Sequence, residues 1–242
     1  MTLNKLPQIK SPLFDIMVHS LGESKMFRPF LVAEEKILLI GQASGDERDI
    51  TRAIKQIITN CVQDDLDVSS IPNFDLEYLF LKLRAQSVSN IVNIVYTDPA
   101  DGSQAEIKID LNDVEIQMPE KPVDPVIFID EKAGFGMKLK YPSVDETIAF
   151  KNPELSADES LNLILEACIE EVFDANDLYQ FKEYKPEAKL EFIDAIPVPV
   201  FTKIQEFYDN MPVLRHTVKF KAKDKPEKTI VLEGLNDFFS WG

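Results

Sequence analysis

Histidine and cysteine, from which much nucleophilic and metal-assisted chemistry is built, occur only twice each in 242 residues. A catalytic triad or zinc site would therefore have to gather its members from distant segments. Cys61 and Cys168 lie in apolar-periodic stretches and belong to no CxxC or Cys/His cluster. They read as buried free thiols of a reducing compartment. Glycine is also scarce, at eight residues, and no GxxxxGK[ST], HExxH or GxSxG string occurs. Gly134 and Gly136 lack the third glycine of a dinucleotide fingerprint and fit a hairpin turn. No run approaches the ~18 apolar residues of a membrane span, and residues 1–7 carry no hydrophobic signal core. An intracellular protein is the expectation. Positive charge is short as well: 26 Lys and Arg face 42 Asp and Glu, a net charge of −16 and a pI near 4.6. Such a chain is repelled by phosphate backbones and anionic membranes, so neither nucleic acid nor membrane is an expected partner.

What is present describes a folded protein. Hydrophobic residues make up 45% and charged residues 28%, near globular averages. The length suits one large domain or two small ones. Ile50, Ile54, Ile57, Ile58, Cys61 and Val62 form one helical stripe, capped by Asp46 or Asp49. A short helix is expected over 33–40, and one over 74–84 with Asn73 as its cap. Another should open at the Ser156/Glu159 capping box and run through Phe173, and another should cover 199–209. Hairpins are expected at 13–20 with 25–32, at 90–96 with 105–111, and at 213–223 with 228–233. Pro29 makes its strand an edge or ends it early. Residues 113–118 continue the second hairpin, and 126–130 pairs with 136–141. The fold class is α+β: antiparallel hairpins packed with about four to six helices, in one extended core or two closely packed subdomains. The candidate units are 1–118 and 125–242, joined by the proline-rich connection 119–124, unless the two form one continuous domain.

Charge is distributed unevenly. Residues 143–194 hold 14 acids and 4 lysines, net −10, whereas 213–228 hold 6 bases and 2 acids, net +4. The asymmetry suits oriented docking on a protein, though solvated faces produce it equally well.

Candidate chemistry is thin. His19 ends a strand, and His216 alternates with Leu214, Val218 and Phe220 on an apolar face, where a hydrogen-bonded core histidine is expected. Asp65, Asp67 and Ser69 have calcium-loop spacing, but Ser70 stands where the loop needs Gly and Leu76 where it needs Glu. The adjacent acids Glu34/Glu35 and Glu170/Glu171 point about 100° apart on a helix and share no site. No catalytic, cofactor or metal residue is identified, and small-molecule ligands are not expected. Recognition is better served. Phe238, Phe239 and Trp241 crowd an otherwise polar C-terminus, and Phe27, Arg28 and Phe30 sit on an edge strand. All six are partner-binding candidates, against the alternative that they pack into their own core.

The string Phe27-Arg28-Pro29-Phe30-Leu31-Val32-Ala33-Glu34-Glu35-Lys36-Ile37-Leu38-Leu39 resembles the RPFxVxEEKxLL signature of the T-even-type bacteriophage baseplate hub assembly family. Residues 74–88 resemble its FDxEYLFLxLRxxSV string, and Gly234-Leu235-Asn236-Asp237-Phe238-Phe239 its GLxDFF ending. The resemblance covers most of the chain. It implies a non-enzymatic tail protein that acts in hub assembly, as subunit or chaperone, by binding other phage tail or baseplate hub proteins. The implied location is the cytoplasm of the infected bacterium during assembly, or the virion. Some members carry a cysteine pair in the terminal hairpin; residues 221–228 are lysine-rich here, so no metal knuckle follows. The competing classes are a hub-associated cell-wall hydrolase and an acidic inhibitor of a host protein or DNA mimic.

Overall fold

The isoleucine stripe that begins at Ile50 forms the helix Glu47–Cys61 (α2). Asp46 caps it by accepting the Arg48 N–H at 2.8 Å. In this computed structural model, which describes residues 10–97, 102, 104–220 and 227–238, the stripe packs at the centre of the larger of two hydrophobic cores. Eight helices and eleven strands in antiparallel sheets make up the described residues, an α+β fold.

The first hairpin pairs Phe14–Val18 (β1) with Glu23–Phe27 (β2). The second strand stops well short of the expected residue 32, because Pro29 cannot donate to the ladder and the chain turns into Val32–Ser44 (α1). That helix outruns the expected 33–40 by a turn and ends at Gly45, whose φ of 71° supplies the left-handed C-cap. Asn73–Ser87 (α3) follows α2. Pro72, not Asn73, is its N-cap, which leaves the Asn73 amide free to donate to Glu77. Strands Ile91–Thr97 (β3) and Gln104–Asp110 (β4) pair as expected. The next strand, Glu115–Gln117 (β5), does not extend that hairpin. A 310 turn over Leu111–Asp113, closed by Asp110 on the Asn112 N–H, redirects the chain.

The second core lies under one four-stranded sheet. Val126–Asp130 (β6) and Phe135–Leu139 (β7) form its first pair, and Val144–Phe150 (α4) and Ala157–Cys168 (α5) follow. The helix from Ser156 does not reach Phe173. It ends at Cys168, whose carbonyl accepts the Lys140 N–H at 2.8 Å, and the chain continues as strand Ile169–Phe173 (β8) between β7 and Leu178–Gln180 (β9). The apolar spacing from Leu161 to Phe173 is helical throughout, so only the sheet's open edge decides the switch. Helices Pro186–Asp194 (α6) and Val198–Asp209 (α7) cover the sheet's inner face.

The chain then returns to the first core. Val213–Phe220 (β10) lies between β5 and Lys228–Glu233 (β11), and Gly234–Phe238 (α8) closes the described chain. Leu214, Leu232, Leu235 and Phe238 all pack with the first core, although they stand far from it in sequence. Tyr141 joins the two cores. Its ring meets Phe74 edge-on at 5.6 Å and stacks on Phe207 at 4.8 Å. Replacing it by alanine, Tyr141→Ala, is expected to cost about 3 kcal/mol. Urea unfolding followed at probes in both cores should then lose its coincidence, the second core melting first.

Candidate functional site

The corner between β2 and α1 holds three of the candidate residues, and it is built inward. Phe27 and Phe30 are buried in the first core. The Arg28 guanidinium forks onto Glu34, Nη2 to Oε1 at 3.0 Å and Nη1 to Oε2 at 3.2 Å. Glu34 Oε2 also accepts the Leu31 N–H at 2.9 Å, satisfying a free donor at the start of α1. Burial alone would raise the Glu34 carboxyl, but Arg28 and the Leu31 N–H outweigh it and hold it below the usual carboxylate range. The Phe30 N–H donates to Ser87 Oγ at 3.0 Å, tying the corner to the end of α3. Gly41 completes the fit: a Cβ there would lie 2.8 Å from Ala53 Cβ, so glycine lets α1 lie close on α2.

With that inner face fixed, the outer face of α1 is set. Val32, Lys36, Leu39, Ile40 and Ala43 recur at helical spacing and all face solvent. Val32 is 71% exposed, Leu39 55% and Ile40 73%. Leu31, just before the helix, is exposed too. Large apolar side chains clustered on one helix face are normally buried. Among the described residues nothing covers this side of α1.

Phe238 is buried in the first core beside α3, while Phe239 and Trp241 lie outside the described residues. In the loop from Asp64 to Ser70, Asp64 accepts the Met26 N–H and Asp67 accepts the Ser69 N–H. His19 meets Tyr78 edge-on at 4.7 Å, and the fully buried Asp75 holds the His19 and Ser20 N–H groups at 2.8 and 2.9 Å. His216 is half-buried on the inner side of β10. Cys61 and Cys168 are free and buried, and burial pushes both thiols up to about 12. Among the described residues no three His, Cys, Asp or Glu side chains gather as a metal site, and no helix is long and apolar enough to cross a membrane.

Composition and spacing did not reveal the cleft between the two cores, whose volume is about 720 Å³. Its walls come from α2, α3, α4, the end of α7 and the start of α8. On it lies Glu77, which accepts from Asn73 Nδ2 at 3.0 Å and from the Leu235 N–H. Burial pushes its carboxyl up to about 7, against the pull of Lys151 and of these donors.

Residues 12–240 match the family described as T4 bacteriophage base plate protein. The chain belongs to that family. No curated protein and no solved structure matches it. The baseplate protein thus has a structural role in the phage tail, in the company of other tail proteins. The conspicuous Phe-Arg-Pro-Phe string of this baseplate protein serves its own fold. Glu34→Gln, which leaves the Arg28 charge without its partner, is expected to cost about 3–5 kcal/mol in urea denaturation. A loss below about 1 kcal/mol would mean that the corner does not depend on the pair.

Proposed function

We propose that this baseplate protein acts in assembly of the hub by binding other tail proteins, with no chemistry of its own. The observation that carries this reading is the outer face of α1, where Val32, Leu39 and Ile40 form an apolar stripe that no described residue covers. Burying such side chains in a partner is worth roughly 1.5–3 kcal/mol each before the costs of association. The stripe lies on a helix pinned at its start by Arg28 and Glu34 and held close to α2 at Gly41, so it meets a partner already ordered. The net charge of −16 supports a heterologous partner, since like-charged copies repel.

The test is mass spectrometry of purified particles and of tail precursors from infected cells. Stoichiometric presence in particles indicates a hub subunit, presence only in precursors indicates a chaperone, and absence from both overturns the reading. The double variant Leu39→Glu/Ile40→Glu should keep wild-type stability within about 0.5 kcal/mol, because both positions are exposed. Its recovery with tail proteins should fall at least tenfold. Undiminished recovery would remove α1 from the interface.

A further inference from the structure

The cleft pairs apolar walls with a carboxylate that has no cationic partner. Ile50 and Ile54 of α2, Phe74 of α3, Phe150 of α4, and Tyr208 and Met211 supply its apolar lining, and its volume of about 720 Å³ is within the range that holds a bound ligand. Among the described residues no Lys or Arg nitrogen lies within 4.0 Å of Glu77, whereas eleven other acid–base pairs meet that distance. Its two donors, Asn73 Nδ2 and the Leu235 N–H, leave part of the carboxylate's accepting capacity unused.

The charges facing Glu77 have mostly been spent elsewhere. On α2, Asp46 is neutralised by Arg48 at 2.8 Å. On β11, Glu233 is bound by Arg215 at 2.5 Å, and Asp237 of α8 accepts the Glu233 N–H at 2.7 Å. Glu77, the exposed Glu47, and Glu233, which still adds to the upward push on the Glu77 carboxyl, stand against Lys151 at the end of α4, an acidic balance in a cleft of mixed lining.

We propose that this cleft receives a short apolar segment of another tail protein and that a lysine or arginine of that segment pairs with Glu77. The proposal rests on the reading that the protein works by binding tail partners, and it names a second contact and its chemistry. Apolar neighbours in the segment fill the space between Ile50, Phe74 and Tyr208, while the cation supplies the charge that Glu77 lacks. A bare metal ion would find one carboxylate and an amide, too few ligands for a hard cation. A second copy of the chain would bring another −16 to the site.

The pH dependence follows from the geometry. Burial pushes the Glu77 carboxyl up to about 7, well above its ordinary value of 4.5, so the folded state holds its proton more tightly than the unfolded chain. This group therefore lowers stability as pH rises from about 4.5 to about 7, with no further change above. A bound cation requires the ionised form, so segment binding should strengthen by about tenfold between pH 6 and pH 8.

The probe is a pool of acetylated, amidated hexapeptides with a central Lys or Arg between apolar residues, followed by fluorescence anisotropy on the full chain. The control pool has equal charge, with the cation moved to the peptide's end. The central-cation pool should bind at least tenfold more tightly, with the stated pH slope. Glu77→Gln, whose folding is checked by thermal melting, should abolish both the preference and the slope, and Lys151→Met should strengthen binding several-fold by removing the competing cation. Equal binding of the two pools, or Glu77→Gln binding like the wild type, would overturn the cleft reading. If that happens while Leu39→Glu/Ile40→Glu still fails to recover tail proteins, the cleft reading alone falls.

Discussion

The fork of Arg28 onto Glu34 is the contact on which the orientation of α1 depends. The pair is nearly enclosed, with the Glu34 side chain 4% and the Arg28 side chain 23% exposed. A pair so placed adds little net stability over a well-packed apolar substitute, but losing one partner strands a charge in the core. Its effect is directional. One carboxylate binds Arg28 in the strand segment and the Leu31 N–H at the head of α1, so it fixes the angle at which the hairpin becomes a helix. Gly41 then sets the depth of α1 on α2. Once both are fixed, Leu38 points to the core, and Val32, Leu39 and Ile40 point to solvent.

Two desolvated carboxylates show how much the neighbour decides. Glu34 and Glu77 both face desolvation that would push them toward neutrality. Arg28 reverses the outcome for Glu34, whereas Lys151 acts on Glu77 only from beyond ion-pairing distance. The first is therefore a finished joint of the fold, and the second is chemically incomplete. In a baseplate protein that difference separates a residue serving the monomer from one suited to a neighbour in the tail.

Much of the fold could be read from local pattern. The stripe from Ile50 to Cys61 admits only a helix, and Ser156 with Glu159 marked a helix start that the structure has. The helix's end at Cys168 could not be read, since Ile169, Val172 and Phe173 fit both a helical stripe and a strand, and the waiting edge of β7 decides between them. For the candidate residues, the turn at Pro29 was legible and the direction of the side chains was not. Phe27, Arg28 and Phe30 drew attention to the corner before α1, but sequence cannot say which side of a corner faces water. Their neighbours on α1 carry the exposed surface. The cleft was invisible because its walls run from Gly45 to Asn236 and meet only when β10, β11 and α8 return to the first core.

If a partner covers the outer face of α1 in the assembled tail, Lys36 becomes shielded there. It lies on the exposed stripe between Val32 and Ile40, and among the described residues it forms no ion pair. Its reactivity toward an amine-acetylating reagent can be compared in the free protein and in the tail assembly that contains it, with exposed Lys203 of α7 as the internal reference. Lys36 labelling should fall at least fivefold on assembly relative to Lys203. Unchanged labelling of Lys36 in an assembly that holds the protein would contradict coverage of α1 by a partner.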